Sequence, residues 1–403
     1  MQKEEQEMER EKNLGMLILA VLVSLALVIS ACGPSATEPP QVEPEVPEEM
    51  EEPTEEPMQE PEEEAMSDRC GDPDQLDDTL NFFNWADYID ENIITMFEEE
   101  CGVEVVMDLY TSNEEAIAKI MAGGSGYDVS IPTDYAVKVM SDGGALQPLN
   151  LDWIPNHVNI DPESMGMYYD PDNTYSLPYQ WSTTGLAYNQ KFFPEAPTSY
   201  DVVFDTEKLC EHRGFVTMLD DPRETISMAL LYLGYDVNET DPAVHEEVLE
   251  LLRAQKDCIA GYDSENFIRT LAAEEVHMAG SWGFAAALAY LDNEDVRYFI
   301  PEEGGVIWQD NMVVPVDAPH PYTAHVWINY LLEPDIGAML TEWTFGFTPN
   351  LEAEPLLSDD YYDLMGTVGA LVDEETRARL QWQQRDMEGA EIFAETWTAV
   401  KAE

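Results

Sequence analysis

The chain has 403 residues, 83 of them acidic and 18 basic, for a formal net charge of -65. Its length and 44% apolar content allow two domains with sizeable cores. Nucleic acid is excluded as a partner, because a phosphate backbone would be repelled and no basic stripe is present. A cationic ligand is compatible with this charge, although solubility or a salty habitat is the first explanation of an acidic surface.

The chain opens on a targeting segment. Leu14 to Ala31 is an uncharged apolar run ending Ile29-Ser30-Ala31-Cys32. Small residues before a cysteine form a signal-cleavage pattern, and they favour export over a membrane span of marginal length. The pattern resembles a bacterial lipobox, which implies that Cys32 becomes the lipidated first residue of the mature protein. Residues 33–69 hold 14 acidic residues, 8 prolines and no aromatic residue. Such a segment cannot bury enough apolar surface to fold, and it reads as an extended tether.

From Leu76 onward strand and helix patterns alternate. Strands are expected at 80–85, 103–109 and 127–131, with helices at 91–100 and 114–121. Extended chain follows at 174–179 and 185–189, and a second series begins at 214–219 with helices at 223–232, 242–255 and 284–291. Repeated βα units imply an α/β fold, mainly parallel and covered by helices on both faces. Four cysteines remain: Cys70, Cys101, Cys210 and Cys258. In an exported chain they allow three disulfide pairings. Cys70–Cys101 with Cys210–Cys258 is favoured, because an αβ unit returns Cys70 and Cys101 to one end of the sheet. No two cysteines have metal-knuckle spacing, and His320 with His325 fits no helical metal motif, so neither metal nor cofactor is expected.

Ligands of such sheets sit where strands give way to loops. Trp85-Ala86-Asp87-Tyr88, Thr133-Asp134-Tyr135, Asp221-Pro222-Arg223-Glu224, Trp282 and Trp308-Gln309-Asp310 occupy such positions, and Trp382-Gln383 near the C-terminus joins them as a candidate. Carboxylates beside aromatic rings suit an organic cation, since the former receive ammonium protons and the latter attract charge through the ring quadrupole. Strand periodicity puts Trp308 and Asp310 on one face. Asp221-Pro222-Arg223-Glu224 is equally a helix start, with Asp221 as N-cap and Pro222 behind it. In so acidic a chain, some Asp–Trp proximity is expected by chance.

The ordered segments Phe83-Asn84-Trp85-Ala86-Asp87-Tyr88-Ile89, Tyr127-Asp128-Val129, Tyr175-Ser176-Leu177-Pro178-Tyr179, Asp220-Asp221-Pro222-Arg223-Glu224, Glu303-Gly304-Gly305-Val306-Ile307-Trp308-Gln309-Asp310 and Thr348-Pro349-Asn350 resemble the bacterial periplasmic spermidine/putrescine-binding proteins of ABC importers. The resemblance implies a two-lobed periplasmic-binding-protein clamp, with lobe 1 at 76–184 plus 309–357 and lobe 2 at 185–308 plus 358–403. It implies a lipid-anchored, extracytoplasmic, monomeric binding protein, not an enzyme, that delivers a polyamine to importer permease subunits.

By position, Trp85 and Tyr88 would wall an aromatic box, and Asp87 would take one terminal amine. Thr133 and Tyr135 would line the pocket. Asp221, Glu224 and Asp310 would bind ammonium groups, and Trp282 and Trp308 would stack on methylene segments. Gln383 would contact ligand less directly. The chain departs from the family pattern at Ala86, at Asp87, where Glu is common, and at Gly346-Phe347, where a ligand-facing Tyr is usual. A receptor for another small solute, or a polyamine sensor without a transport role, are the competing readings.

Overall fold

The computed structural model describes residues 68–86, 88–384 and 387–402. The apolar run, Cys32, most of the tether and Asp87 lie outside these residues. Contacts of the folded part begin at Arg69, whose Nη2 donates to Asp335 Oδ2 at 2.8 Å.

The first αβ series follows local chemistry closely. Strand β1 (Thr79–Trp85) leads to helix α1 (Glu91–Cys101), where Asp90 caps the first turn and Gly102 closes the last at φ 69°. Ile93, Phe97 and Cys101 recur at a spacing of four, and this face is buried. Strand β2 (Glu104–Tyr110), helix α2 (Asn113–Met121), strand β3 (Val129–Ser130) and helix α3 (Asp134–Asp142) complete the series. Strand β3 is shorter than the sequence suggests: of 127–131, Val129 and Ser130 pair with β1.

The two expected extended segments are one strand, β4 (Ser176–Asn189). A second series then runs through β5 (Val216–Met218), α4 (Pro222–Leu233), α5 (Pro242–Lys256), β6 (Gly261–Tyr262), β7 (Met278–Trp282), α6 (Gly283–Asp292) and β8 (Val296–Phe299). Strand β9 (Gly305–Val313) leads back to α7 (Pro321–Leu331) and α8 (Pro334–Thr344). The chain ends through α9 (Asp359–Val368), β10 (Leu380–Trp382) and α10 (Met387–Lys401).

The strands join in the order β2-β1-β3-β9-β4-β7-β5-β6, with β10 on β9 and β8 on β4. Strands β2, β1 and β3 are mutually parallel at one end, as are β7, β5 and β6 at the other. Between them β4 and β9 run antiparallel to each other and to their outer neighbours β3 and β7.

These two central strands explain the two lobes. Leu177 and Tyr179 of β4, with Met312 of β9, enter an apolar core around Phe82, Phe97 and Trp327. Leu186 and Tyr188 of β4, with Val306 and Trp308 of β9, enter a second core around Phe204, Met218 and Ile226. The stretch between is polar and still buried: Gln180, Ser182, Thr183 and Thr184 on β4, and Gln309, Asp310 and Asn311 on β9. A chain pays heavily to bury such groups unless they have partners, so this waist is where a site is expected. Cys70 is bonded to Cys101 and Cys210 to Cys258, each pair pinning a loop end within its own series.

Candidate ligand-binding site

Strand β9 supplies the centre. Its alternation sends Gln309 to one face, where Nε2 donates to the Tyr169 hydroxyl and to Ser164 O at 3.1 Å. Trp308 and Asp310 take the opposite face. Asp310 is 4% exposed, and its Oδ2 accepts the Tyr88 hydroxyl at 2.8 Å. Burial pushes its carboxyl up to about 7, against the pull of the Thr133 and Tyr88 hydroxyls. Its Oδ1 is buried and makes no well-directed hydrogen bond to a described residue, and the same holds for Trp308 Nε1.

The first series frames this carboxylate. Thr133, at the start of α3, forms a backbone bridge with Asp310 and is held by Asn113, which accepts from its N–H at 3.1 Å and donates to its Oγ1 at 3.0 Å. Trp85 closes β1 with its Nε1 on Ile131 O at 2.9 Å and its ring 4.5 Å from Tyr110. Tyr88 is fixed twice, by Asp310 and by Tyr179, whose hydroxyl donates to Tyr88 O at 2.7 Å. The β4–β9 register shifts between Pro178 and Gln180, which leaves Tyr179 outside the regular pairing.

The second series contributes rings and acids. Trp282 ends β7, and Phe284 follows in the first turn of α6. Phe284 stands 5.9 Å from Trp282, 6.1 Å from Trp308 and 6.3 Å from Tyr88, so it links three expected site residues. Sequence reasoning missed it, although its signal was an aromatic residue two positions beyond a strand-end Trp. A Cβ on Gly283 would lie 3.3 Å from Ser182 Oγ, so the glycine permits this close approach to β4. Asp221 caps α4, accepting from the N–H groups of Arg223 and Glu224 at 2.8 and 3.1 Å. Glu224 is 8% exposed on the same turn. Gln383 lies against α4, with Nε2 donating to Arg223 O at 3.2 Å and to Ser227 Oγ at 3.0 Å.

Tyr135 is placed differently from a plain pocket lining. Its hydroxyl donates to Glu114 Oε1 at 3.0 Å, and Arg223 covers its ring face, with Cζ 3.4 Å from the centroid. Of the expected residues, Tyr88, Thr133 and Asp310 touch directly, while Phe284 bridges Trp282 and Trp308. Arg223 brings Tyr135 and Gln383 together. Asp87 lies outside the described residues. Phe347 stacks on Trp181 at 4.3 Å, and a Cβ at Gly346 would meet Gln180 Oε1 at 2.7 Å. The two histidines His320 and His325 serve separate partners, Asp128 and the Pro321 carbonyl.

A buried carboxylate that accepts the Tyr88 hydroxyl, with Trp308 on the same strand face, thus lies at the waist of a two-lobed α/β molecule. The profile of the bacterial extracellular solute-binding proteins matches residues 92–364. The chain belongs to this family. It is 32% identical over 328 residues to the spermidine/putrescine-binding periplasmic protein of Salmonella typhimurium, covering 81% of this chain and 92% of that protein. The spermidine/putrescine ABC transporter substrate-binding protein of Streptococcus pneumoniae superposes with a TM-score of 0.70 at 31% identity, covering 81% of this chain and 99% of that one. A Treponema pallidum lipoprotein superposes with a TM-score of 0.71 at 26% identity, covering 80% and 99%. These relatives are binding proteins, not enzymes, and the solute-binding family is extracellular or periplasmic.

Proposed function

We propose that this solute-binding protein is a lipid-anchored polyamine receptor that hands its ligand to an ABC importer. The Asp310 carboxylate carries the reading. A buried acid whose proton is held up to about 7 is primed to exchange that proton for an ammonium group. Trp308 on the same strand face, and Phe284 6.1 Å from it, would offer apolar faces to the methylene segments of a polyamine, and Asp221 with Glu224 would receive a further amine. The ligand cleft lies between lobe 1 (76–184 plus 309–357) and lobe 2 (185–308 plus 358–403).

The relatives' polyamine ligands support the chemistry, and the lipoprotein relative supports anchoring at Cys32. The transporter relative supports delivery to importer permeases, and a monomer suffices for the reading. The full chain, dialysed against an equimolar mixture of polyamines, amino acids and sugars, should retain a polyamine when its contents are read by mass spectrometry. Retention of a sugar or an amino acid instead would overturn the reading.

A further inference from the structure

Helices α3 and α4 belong to different cores, and one side chain joins them. Arg223, at the second position of α4, is 7% exposed, and its Cζ sits 3.4 Å from the ring centre of Tyr135, at the second position of α3. Each half is fixed from behind. Asp221 accepts two N–H groups at the start of α4, and Gln383 donates to the Arg223 carbonyl. On the other side the Tyr135 hydroxyl donates to Glu114 on α2.

The guanidinium itself is held differently: Nε and Nη2 make no hydrogen bond to any described residue. On the opposite half the Tyr135 ring face holds it, with the charge of Asp134 at the start of α3 acting alongside. A desolvated cation over an aromatic ring is worth about a tenfold to thirtyfold bias in an equilibrium. A cationic ligand would be repelled by Arg223, so ammonium recognition does not account for it.

We propose that Arg223 and Tyr135 form a cross-cleft latch, a positioning pair that sets how long the two halves of the site stay together without touching the ligand. For the cleft to open, α3 and α4 must part, and this stack must break. Each turnover of capture and release then includes its rupture. The ligand arm of this inference rests on the proposed polyamine function, and the conformational arm does not.

The test uses the full chain with spin labels at Ala118→Cys on α2 and Glu250→Cys on α5, both exposed positions. Pulsed electron resonance would give the distance distribution without ligand, and stopped flow would give putrescine rates. Arg223→Ala should shift the distribution to longer distances, Arg223→Lys partly so, and Tyr135→Phe, which keeps the ring, should not. The Arg223→Ala/Tyr135→Ala double variant should match the single ones, because the two act through one contact. Putrescine release should accelerate about tenfold, with the association rate within about twofold of wild type.

An unchanged distribution in Arg223→Ala overturns the latch. A slowed association with unchanged release would do the same, since it would place Arg223 against the ligand. A wild type that fails to bind any polyamine removes the functional reading, while the label distances still decide the latch.

Discussion

Asp310 is an acid whose proton the fold retains from about pH 4 up to about 7, and this has two measurable consequences. Between those values the folded state binds more protons than the unfolded one, so this residue lowers stability as pH rises through that window. A displacement from 3.8 to about 7 corresponds to roughly 4 kcal/mol, spent fully above pH 7 and absent below about pH 4. Chemical denaturation of ligand-free Asp310→Asn should therefore lose this part of the pH slope and gain on wild type as pH rises from 5 to 8. An identical slope in both proteins would place the charge elsewhere. The second consequence is in binding. An ammonium group requires the carboxylate, so affinity for a polyamine should rise about fivefold from pH 6 to 7 and about tenfold by pH 8, where it levels off. Calorimetry in buffers of different ionisation enthalpy should show proton release at pH 6.5.

At the scale of elements, α4 tests whether one residue serves both fold and ligand. Asp221 caps the helix through two N–H groups, a bond set worth about 1 kcal/mol. Asparagine caps as well as aspartate does, so Asp221→Asn should keep the melting temperature and weaken polyamine binding. Asp221→Ala should lose both. If Asp221→Asn binds as wild type, the residue is a cap alone.

The disulfides act on the same scale. They close loops of 31 and 48 residues, for which chain entropy gives about 4 kcal/mol each. A guanidinium melt under reductant should shift by that order, and an unshifted midpoint would contradict it.

Much of this was legible in the chain. Asp90 and Gly102 bracket α1, and Asp221-Pro222 with Gly234 brackets α4, because caps and left-handed stops are local chemistry. Trp308 and Asp310 share a face because a strand allows nothing else. What escaped was long-range. Phe284 gains its meaning from Tyr88 and Trp308, far from it in sequence. The seat of Arg223 on Tyr135 depends on how two helices from separate series meet. The continuity of β4 was hidden by Gln180-Trp181-Ser182-Thr183-Thr184, whose polar residues break the apolar pattern because they line the waist.

At the scale of the whole molecule, a net charge of -65 concentrates cations around the protein. Salt should slow polyamine association while leaving release nearly unchanged, because the buried contacts are screened far less than the surface. Stopped-flow rates at two ionic strengths would show it, and a release rate that rises with salt would place the ligand on the surface. Attachment is a separate question at this scale. Metabolic labelling with a fatty acid should mark the wild type and leave Cys32→Ser unlabelled; equal labelling of both would move the anchor elsewhere.

The measurement that bears most directly on the central claim is calorimetric titration of the full chain with putrescine, spermidine and spermine at high salt. Saturable one-to-one binding, weakened about a hundredfold in Asp310→Asn and strongly in Trp308→Ala, is the predicted result. Heat that vanishes with salt, or binding that survives both substitutions, would contradict it, leaving the acidity as surface character and the waist without a polyamine.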